Sequence, residues 1–279
     1  MKKVIVILLA AALLLSVVGC KKAENKKLTV AMSPDFAPME FVDTSKTGQE
    51  QYVGFDVTLA NFLADELGME LEIKPMSFDA CMTAVQLGSV DMAISGFSWK
   101  PDRAENFLLS DYYIAGDNET QQSVITVKAK ENTCKTQADF SGWKVGAQAS
   151  SLQEQLVKDE LIPAGAELVV YKSIDDAVLA LQTGKIDALA VAHGNGEAII
   201  ANNPDLAFTG FDFDVDPKYE NNVILLNKTN TEMLEKVNQV LAKAMAANLY
   251  DGWYEDAKAL AGIPTAADVS YDDDGKPVG

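Results

Sequence analysis

"AVQLGSVDMAISG" at residues 84–96 returns as "ALQTGKIDALAVA" at residues 180–192, and this repeated phrase decides the fold. Each copy reads as the end of an amphipathic helix, a glycine at the helix C-terminus (Gly88 or Gly184) and a buried, largely apolar strand. The repetition indicates two α/β lobes built on one plan. Two copies are too few for a repeat array.

Strand-like and helix-like segments alternate around the first copy. Residues 28–32 read as a buried strand, residues 55–67 as a helix that ends at Gly68, and residues 69–75 as a strand. Within the two copies, the strands are predicted at residues 90–95 and 186–191. The pattern predicts an α/β protein in which each lobe is a mixed sheet flanked by helices.

Composition excludes several classes of function. The chain has 279 residues, 48% hydrophobic and 23% charged, which describes a globular protein with room for two domains. Its net charge of −18 leaves no dense lysine field for nucleic acid, so we expect no nucleic-acid partner. His193 is the single histidine, so we expect no zinc site, no Ser-His-Asp triad and no cofactor.

The N-terminus reads as a secretion signal. A short basic start is followed by an apolar run at residues 4–18, too short for a comfortable membrane span. The ending "SVVGC" is similar to a bacterial lipobox, which would make Cys20 the lipidated first residue of the mature protein; a signal cut elsewhere would leave Cys20 a chance thiol. We therefore predict a signal peptide at residues 1–19, a tether at residues 20–27 and an extracytoplasmic protein anchored to the cell membrane by lipid.

Two further cysteines add little to the prediction. Cys81 lies in an apolar helical stretch and is expected to be a small core residue, while Cys134 lies in a polar segment. A disulfide between them stays open.

The only arginine of the chain, Arg103, lies shortly after the first copy of the phrase, in the segment "FSWKPDR" at residues 97–103. In open α/β sheets, ligands bind beyond the carboxyl ends of the strands, and the first copy ends at Ser95 and Gly96. Pro101 suits the first turn of a helix, which places Arg103 in that turn. The guanidinium, free backbone N–H groups and the Ser98 hydroxyl would form a carboxylate site. The alternative is that Arg103 pairs with a surface acid, although every other positive position uses lysine.

Several short motifs, weak singly, are specific together. They are "SPDFAPMEF" at residues 33–41, "GFD" at residues 54–56, the pair Phe78-Asp79, and "SGFSWKPDR" at residues 95–103 followed by "LSDYY". In this set the chain resembles the extracellular solute-binding proteins of family 3, the substrate-binding lipoproteins of ABC importers for polar amino acids. The resemblance covers nearly the whole mature chain.

The resemblance implies roles for residues of the first lobe. Arg103 and the N–H and hydroxyl of Ser98 would hold the α-carboxylate of the ligand, and the carbonyl region of Ser95 or Gly96 would accept from its ammonium group. The ligand would lie between the aromatic rings of Phe36 and Phe78. The alternative for these rings is core packing, the commoner fate of an aromatic side chain.

In the second lobe, "VGAQASSLQE" resembles the family's "VGVQAGTTQE". The backbone around Ser150 and Ser151 would complete the carboxylate site. These serines can also serve as the N-cap of the following helix, and the two roles can coexist.

One position departs from the family pattern. Members usually carry an aspartate that pairs with the ligand's ammonium group where this chain has Ala192. Because a buried ammonium without a counter-charge is costly, either Glu197 or Asp35 supplies the charge or the ligand has no α-ammonium. His193 is a further candidate ligand-binding residue that would donate to a carboxylate or carbonyl, or would point into the lobe instead.

The resemblance implies a type II periplasmic-binding-protein-like fold, with two lobes joined by a two-strand hinge. Lobe one is expected to comprise residues 28–118 and 222–279, with residues 119–221 forming lobe two and its hinge strands. The implied function is to capture a small, carboxylate-bearing, amino-acid-like solute and deliver it to ABC permease subunits, as a monomer. A cleft enzyme of the cyclohexadienyl dehydratase kind and a ligand-sensing ectodomain are the alternatives.

Overall fold

The computed structural model describes residues 26–113, 121–219, 221–265, 268, 270–271 and 277–278. The predicted signal peptide and Cys20 lie outside these residues, as do residues 114–120, which include the predicted boundary between the lobes at residues 118 and 119. Within the described part of the chain, no helix is both long enough and apolar enough to cross a membrane.

The first part of the chain builds a central sheet with a small sheet beside it. Its strands are β1 (Lys27–Met32), β2 (Asp35–Phe36), β3 (Glu40–Val42), β4 (Tyr52–Val53), β5 (Glu70–Pro75), β6 (Met92–Ala93) and β7 (Leu108–Leu109). Strand β1 lies between β5 and β6 and is parallel to both. Strands β2, β3 and β4 pair antiparallel in the small sheet. Three helices accompany them: α1 (Phe55–Leu67), α2 (Phe78–Gln86) and α3 (Pro101–Asn106).

The middle of the chain builds a second five-stranded sheet. Its strands are β8 (Gln122–Val127), β9 (Lys144–Gln148), β10 (Glu167–Tyr171), β11 (Ala188–Ala192) and β12 (Leu206–Asp212), in the order β10-β9-β11-β8-β12. Strands β9, β10 and β11 are parallel, while β8 is antiparallel to both of its neighbours. The helices of this part are α4 (Leu152–Leu156), which continues as a π-helix over Val157–Leu161, α5 (Ile174–Gln182) and α6 (His193–Asn202).

The chain then returns to the first sheet. Strand β13 (Leu225–Leu226) inserts between β6 and β7, antiparallel to both, which gives the order β5-β1-β6-β13-β7. Helices α7 (Thr231–Ala246) and α8 (Tyr250–Leu260) pack against α1 through an apolar core that includes Leu59, Val237 and Tyr254. Strand β14 (Ser270–Tyr271) pairs antiparallel with β15 (Pro277–Val278). We call the part around the first sheet, with the small sheet, lobe one, and the part around the second sheet lobe two.

The mixed sheets flanked by helices match the predicted α/β class, but one strand is shorter than expected. The first copy of the phrase forms β6 over two residues only, and not over residues 90–95. Past β6 the chain bends at Gly96, whose φ is +56°, because its N–H leaves the sheet to bind a buried carboxylate. Cys81 and Cys134 are both buried and both free, so they form no disulfide.

Candidate ligand-binding cleft

A cavity lies between the two lobes at the carboxyl ends of their central strands, where about 580 Å³ of space, part of it open to solvent, is not filled by protein atoms. Most of the side chains that line it are polar. Lobe one contributes Ser33, Asp35, Phe36, Glu40, Phe78, Ser95, Gly96, Ser98 and Arg103, and lobe two contributes, among others, Gln122, Gln148, Ser151, Gln153, Ala192 and Asn195. The position agrees with the general rule for ligands in open α/β sheets.

Among the described residues that line the cavity, Arg103 alone carries a positive charge. It lies in the first turn of α3, as Pro101 predicts, and only 2% of its surface is exposed. Its Nη1 donates to the Ser98 carbonyl at 2.5 Å and its Nη2 to the Ser150 carbonyl at 3.0 Å. The guanidinium carbon lies 5.5 Å and 5.3 Å from the ring centres of Phe78 and Phe97.

The electrostatic state of Arg103 makes it a strong anion receptor. Burial lowers the pKa of its guanidinium to about 10, so the group stays cationic at neutral pH. None of the ion pairs among the described residues includes Arg103, and its buried Nε has no hydrogen-bond partner there. A buried cation paired only with carbonyl oxygens favours a bidentate carboxylate. The alternative, a surface ion pair of Arg103, is not found among the described residues.

The end of the first copy is held from beneath by buried acids. The Ser95 hydroxyl donates to Oε1 of Glu40 and accepts from the Ser33 N–H at 3.0 Å. The Gly96 N–H donates to Oδ2 of Asp56 at 2.7 Å. Asp56, in the first turn of α1, also contacts Glu40 by a side-chain hydrogen bond. The loop that lines the cavity is therefore fixed by two carboxyl groups of lobe one.

The two buried acids need a proton between them. Two ionised carboxylates cannot donate to each other, so a hydrogen bond between Glu40 and Asp56 requires that one is protonated. Burial raises the pKa of Asp56 to about 7, against the opposing effect of the N–H of Gly96. The Tyr113 hydroxyl donates to Oδ2 of Asp56 at 3.1 Å. This network connects the cavity to Tyr113, the last described residue before the gap at residues 114–120.

The predicted aromatic residues line the cavity on the side of lobe one. Phe78 is buried and stacks on Phe97 with ring centres 4.5 Å apart, so it packs in the core and faces the cavity at once. Phe36 lies against Gly96, where a Cβ atom would come within 2.6 Å of the Phe36 ring. This close approach, with the positive φ, explains the glycine.

Ser150 and Ser151 begin α4 on the facing side. The Ser151 hydroxyl accepts from the Glu154 N–H at 3.0 Å, as an N-cap does, and donates to the Gln148 carbonyl at 2.7 Å. Ser151 also lines the cavity, so the helix cap and the cavity wall coincide. Ser150 has a left-handed φ of +64° and turns its carbonyl toward Arg103. It is not among the residues that line the cavity.

His193 lies away from the cavity. Its ring stacks on Phe208 with centres 4.5 Å apart, and its Nδ1 is 2.8 Å from the Ser123 hydroxyl, which donates to Asp212. Its Nε2 is 3.9 Å from Glu197. Neither His193 nor Glu197 is among the lining residues, so His193 follows the alternative in which it points into the lobe.

Comparison with known proteins agrees with this architecture. Residues 28–256 match the bacterial extracellular solute-binding proteins, family 3. The chain belongs to this family. The arginine-binding extracellular protein ArtP of Bacillus subtilis is 28% identical over 247 residues, covering 86% of this chain and 92% of that protein. A probable histidine-binding protein of Campylobacter jejuni is 28% identical over 249 residues, covering 82% and 92%.

A solved structure supports the fold of this family 3 protein. It is the amino acid ABC transporter substrate-binding protein AbpA from Streptococcus pneumoniae bound to L-arginine, with a TM-score of 0.76 and 34% identity, covering 86% of this chain and 97% of that one. The type II fold and the role as an extracytoplasmic solute-binding protein of ABC import are confirmed. The relatives are named for binding and not for a reaction, which confirms a binding protein over an enzyme.

Sequence reasoning missed part of the polar wall of this family 3 cleft. Gln148 ends strand β9, and Asn195 lies in the first turn of α6 directly after strand β11. Both positions follow the carboxyl ends of central strands, which is the signal that could have indicated them. Asp35, named from the sequence only as an alternative counter-charge, lies in the cavity wall.

Proposed function

We propose that this protein captures an L-amino acid in the cavity between its lobes, with the α-carboxylate on Arg103, and delivers it to the permease of an ABC importer. The carrying observation is the buried, cationic guanidinium with an unpartnered Nε at the cavity wall among the described residues. A carboxylate of the ligand would provide the negative charge that no described residue brings to Arg103. The relatives named for arginine make L-arginine the first ligand to test.

The rest of the proposed binding set surrounds Arg103. The hydroxyl of Ser98 and the capping end of α4 at Ser151 would add donors to the carboxylate, while Phe36 and Phe78 cover the apolar part of the ligand. Ser150 would act indirectly, because its carbonyl orients Nη2 of Arg103. Carbonyls at Ser95 or Gly96 would accept from the ligand's nitrogen.

We propose further that binding is coupled to closure of the lobes, with lobe one at residues 28–118 and 222–279 and lobe two at residues 119–221. Direct contacts between the lobes support this coupling. Besides Arg103 with Ser150, the Asn195 Nδ2 donates to the Ala37 carbonyl at 2.9 Å. These contacts flank the cavity, so a ligand inside it would be sealed when they form.

Lipid anchoring at Cys20 and action as a monomer complete the proposal. The sequence "SVVGC" carries the anchoring argument. Mass spectrometry of membrane fractions should find the peptide that starts at Cys20 with acyl chains attached. An unmodified peptide from Ser16 to Lys22 as the main species would refute the anchor and leave the binding proposal intact.

Calorimetry with L-arginine and L-histidine tests the proposed site. Arg103→Ala should cost about 3–5 kcal/mol of binding, the range for removing one partner of a buried charge pair. Arg103→Lys should recover little, because an ammonium cannot reproduce the planar two-pronged contact. Lys100→Ala is the matched control. Lys100 is buried, carries a positive charge and directly precedes α3, the helix that contains Arg103, but it does not line the cavity. Tight binding of an amino acid that survives Arg103→Ala would defeat the site.

A further inference from the structure

We propose that Asp35 and Asn195 together hold the protonated α-nitrogen of the ligand, the role that the family pattern gives to an aspartate where this chain has Ala192. The inference rests on the proposed function and names the second half of the ligand: a group that donates hydrogen bonds and carries positive charge. The ligand class is then an α-amino acid and not a keto acid or a simple carboxylate.

Asn195 contributes an acceptor to which none of the described residues donates. The side chain is 1% exposed and lies in the cavity wall. Its Nδ2 donates to the Ala37 carbonyl at 2.9 Å, which fixes the orientation of the amide. Its Oδ1 is buried and has no hydrogen-bond partner among the described residues. A buried acceptor without a donor is costly, so the site is complete only when a ligand donates to it.

Asp35 contributes a carboxylate that no cation of the described residues pairs with. It accepts from the Ile174 N–H at 2.8 Å, from the Ser33 hydroxyl at 2.8 Å, from Nε2 of Gln148 at 3.4 Å to each oxygen and from the Ser173 side chain. All of these donors are neutral, and none of the ion pairs in the described part of the chain includes Asp35. Burial raises the pKa of its carboxyl group. A cation of the ligand would offset this burial.

The two groups meet at the short segment of residues 35–37. Asp35 is the first residue of this segment, and Asn195 donates to the carbonyl of its last residue, Ala37. Ala192 lies in the same cavity wall one helical turn before Asn195. The acceptor lost at position 192 is therefore replaced by an amide on the same helix end and by a carboxylate from the opposite lobe.

The other charged groups nearby have different tasks. Glu40 lines the cavity but is engaged by Ser95 and Asp56, and Glu197 lies outside the cavity beside His193. Burial and, to a lesser extent, the nearby charge of Asp35 raise the pKa of the Asp175 carboxyl group. Asp175 does not line the cavity. Asp35 is thus the acid of the described cavity wall that is left for a ligand cation.

The competing explanation is that Asp35 only connects the lobes through Ile174 at the start of α5. Calorimetry with two matched ligand pairs separates the two: L-arginine and L-histidine, each with the analogue that has hydrogen in place of the α-amino group. Both members of a pair keep the same side chain and carboxylate. Wild-type protein should bind the amino acid about 30-fold or more tightly than its analogue.

Substitutions then move the charge. Asp35→Asn should weaken the amino acid by about 30-fold or more and the analogue by less than about threefold. Adding Ala192→Asp to Asp35→Asn should restore most of the lost affinity for the amino acid. Ala192→Asp alone, which keeps every contact of Asp35, should weaken the analogue because the new carboxylate has no cation to meet. Asp175→Asn is the matched control and should leave both members within about twofold.

The outcomes distinguish this inference from the proposed function. Equal weakening of both members by Asp35→Asn, without rescue by Ala192→Asp, would assign Asp35 to lobe contact alone and overturn the inference. An analogue that binds wild-type protein as tightly as the amino acid would overturn it too, while loss of both in Arg103→Ala would preserve the carboxylate site. Wild-type protein that binds neither amino acid nor analogue would contradict the proposed function itself.

Discussion

Asp91 in the first copy of the repeated phrase and Asp187 in the second occupy the same place in their lobes. Asp91 accepts the N–H of Thr29, in the first strand of its sheet, at 2.7 Å. Asp187 accepts the N–H of Lys144, in the first parallel strand of the other sheet, at 3.0 Å. Each aspartate directly precedes a strand, β6 or β11, and connects the start of that strand to the neighbouring strand, β1 or β9. The residues that the two copies share lie in the helix ends, at the glycine turns and at the aspartate directly before each strand.

The ends of the copies differ, and the difference marks their tasks. The first copy ends in Ser95 and Gly96, which bend away from the sheet onto Glu40 and Asp56. The second copy ends in Ala192 and continues directly into α6 with no polar side chain of its own. Repetition therefore preserves the scaffold, while the residues at the strand ends decide what each lobe offers a ligand.

The largest expected effect comes from Glu40 and Asp56, the buried acids that bind the end of the first copy. The second copy ends in apolar residues instead. Burial raises the pKa of Asp56 to about 7, whereas the unfolded chain loses this proton near pH 4. Between these values the folded state holds one more proton. The contribution of this one group to the free energy of unfolding should therefore be largest below about pH 4 and fall by about 1.4 kcal/mol per pH unit up to about pH 7.

Asp56→Asn isolates this contribution. The amide keeps an acceptor for the Gly96 N–H and a donor for Glu40, but it does not titrate. Urea unfolding of both proteins from pH 4 to 8 gives the difference in the free energy of unfolding, in which other acids cancel. This difference should change in favour of wild type as the pH falls. Parallel pH profiles would show that lobe one does not depend on the shared proton.

The equivalent aspartates should differ in the size of their effect on stability. Asp91→Ala removes the acceptor of both the N–H and the hydroxyl of Thr29 in a partly buried setting, which should cost about 2 kcal/mol of unfolding free energy. Asp187→Ala exposes the Lys144 N–H to water, because 38% of the Asp187 side chain is already accessible, and should cost about 1 kcal/mol. Urea unfolding measures both, with Asp91→Asn as a control that keeps an acceptor. A larger loss for Asp187→Ala would reverse the comparison.

The sequence predicts the parts of the molecule that depend on local patterns. The strand at β1, the helix at α1 with its end at Gly68, and the helical turn at Arg103 all follow from periodicity and from the preferences of glycine and proline. These features depend on neighbours in the chain. They could be derived without knowing the tertiary structure.

The missed features depend on contacts between distant segments. The orphan acceptor of Asn195 exists because its amide meets the Ala37 carbonyl, which is 158 positions away in the chain. The hydrogen bond between Glu40 and Asp56 requires that strand β3 and the first turn of α1 meet in the core. His193 was a candidate because it follows the strand end, yet stacking on Phe208 draws its ring into lobe two. Spacing alone does not determine where such side chains point.

The smallest expected effect concerns the glycines at the centre of the two copies, where the comparison should hold best. Gly88 and Gly184 have φ values of +68° and +71°, and a Cβ atom at either position would meet no atom within 4 Å. Alanine at either site should therefore lower the free energy of unfolding by about 1 kcal/mol, because it disfavours the left-handed backbone conformation. The two losses should be equal within error. Asparagine tolerates this conformation better and should cost less at both sites. Thermal and urea unfolding of the four single variants measures this. A loss that differs by more than about 1 kcal/mol between Gly88→Ala and Gly184→Ala would mean that the two turns are not equivalent, since neither site offers a steric cause for the difference.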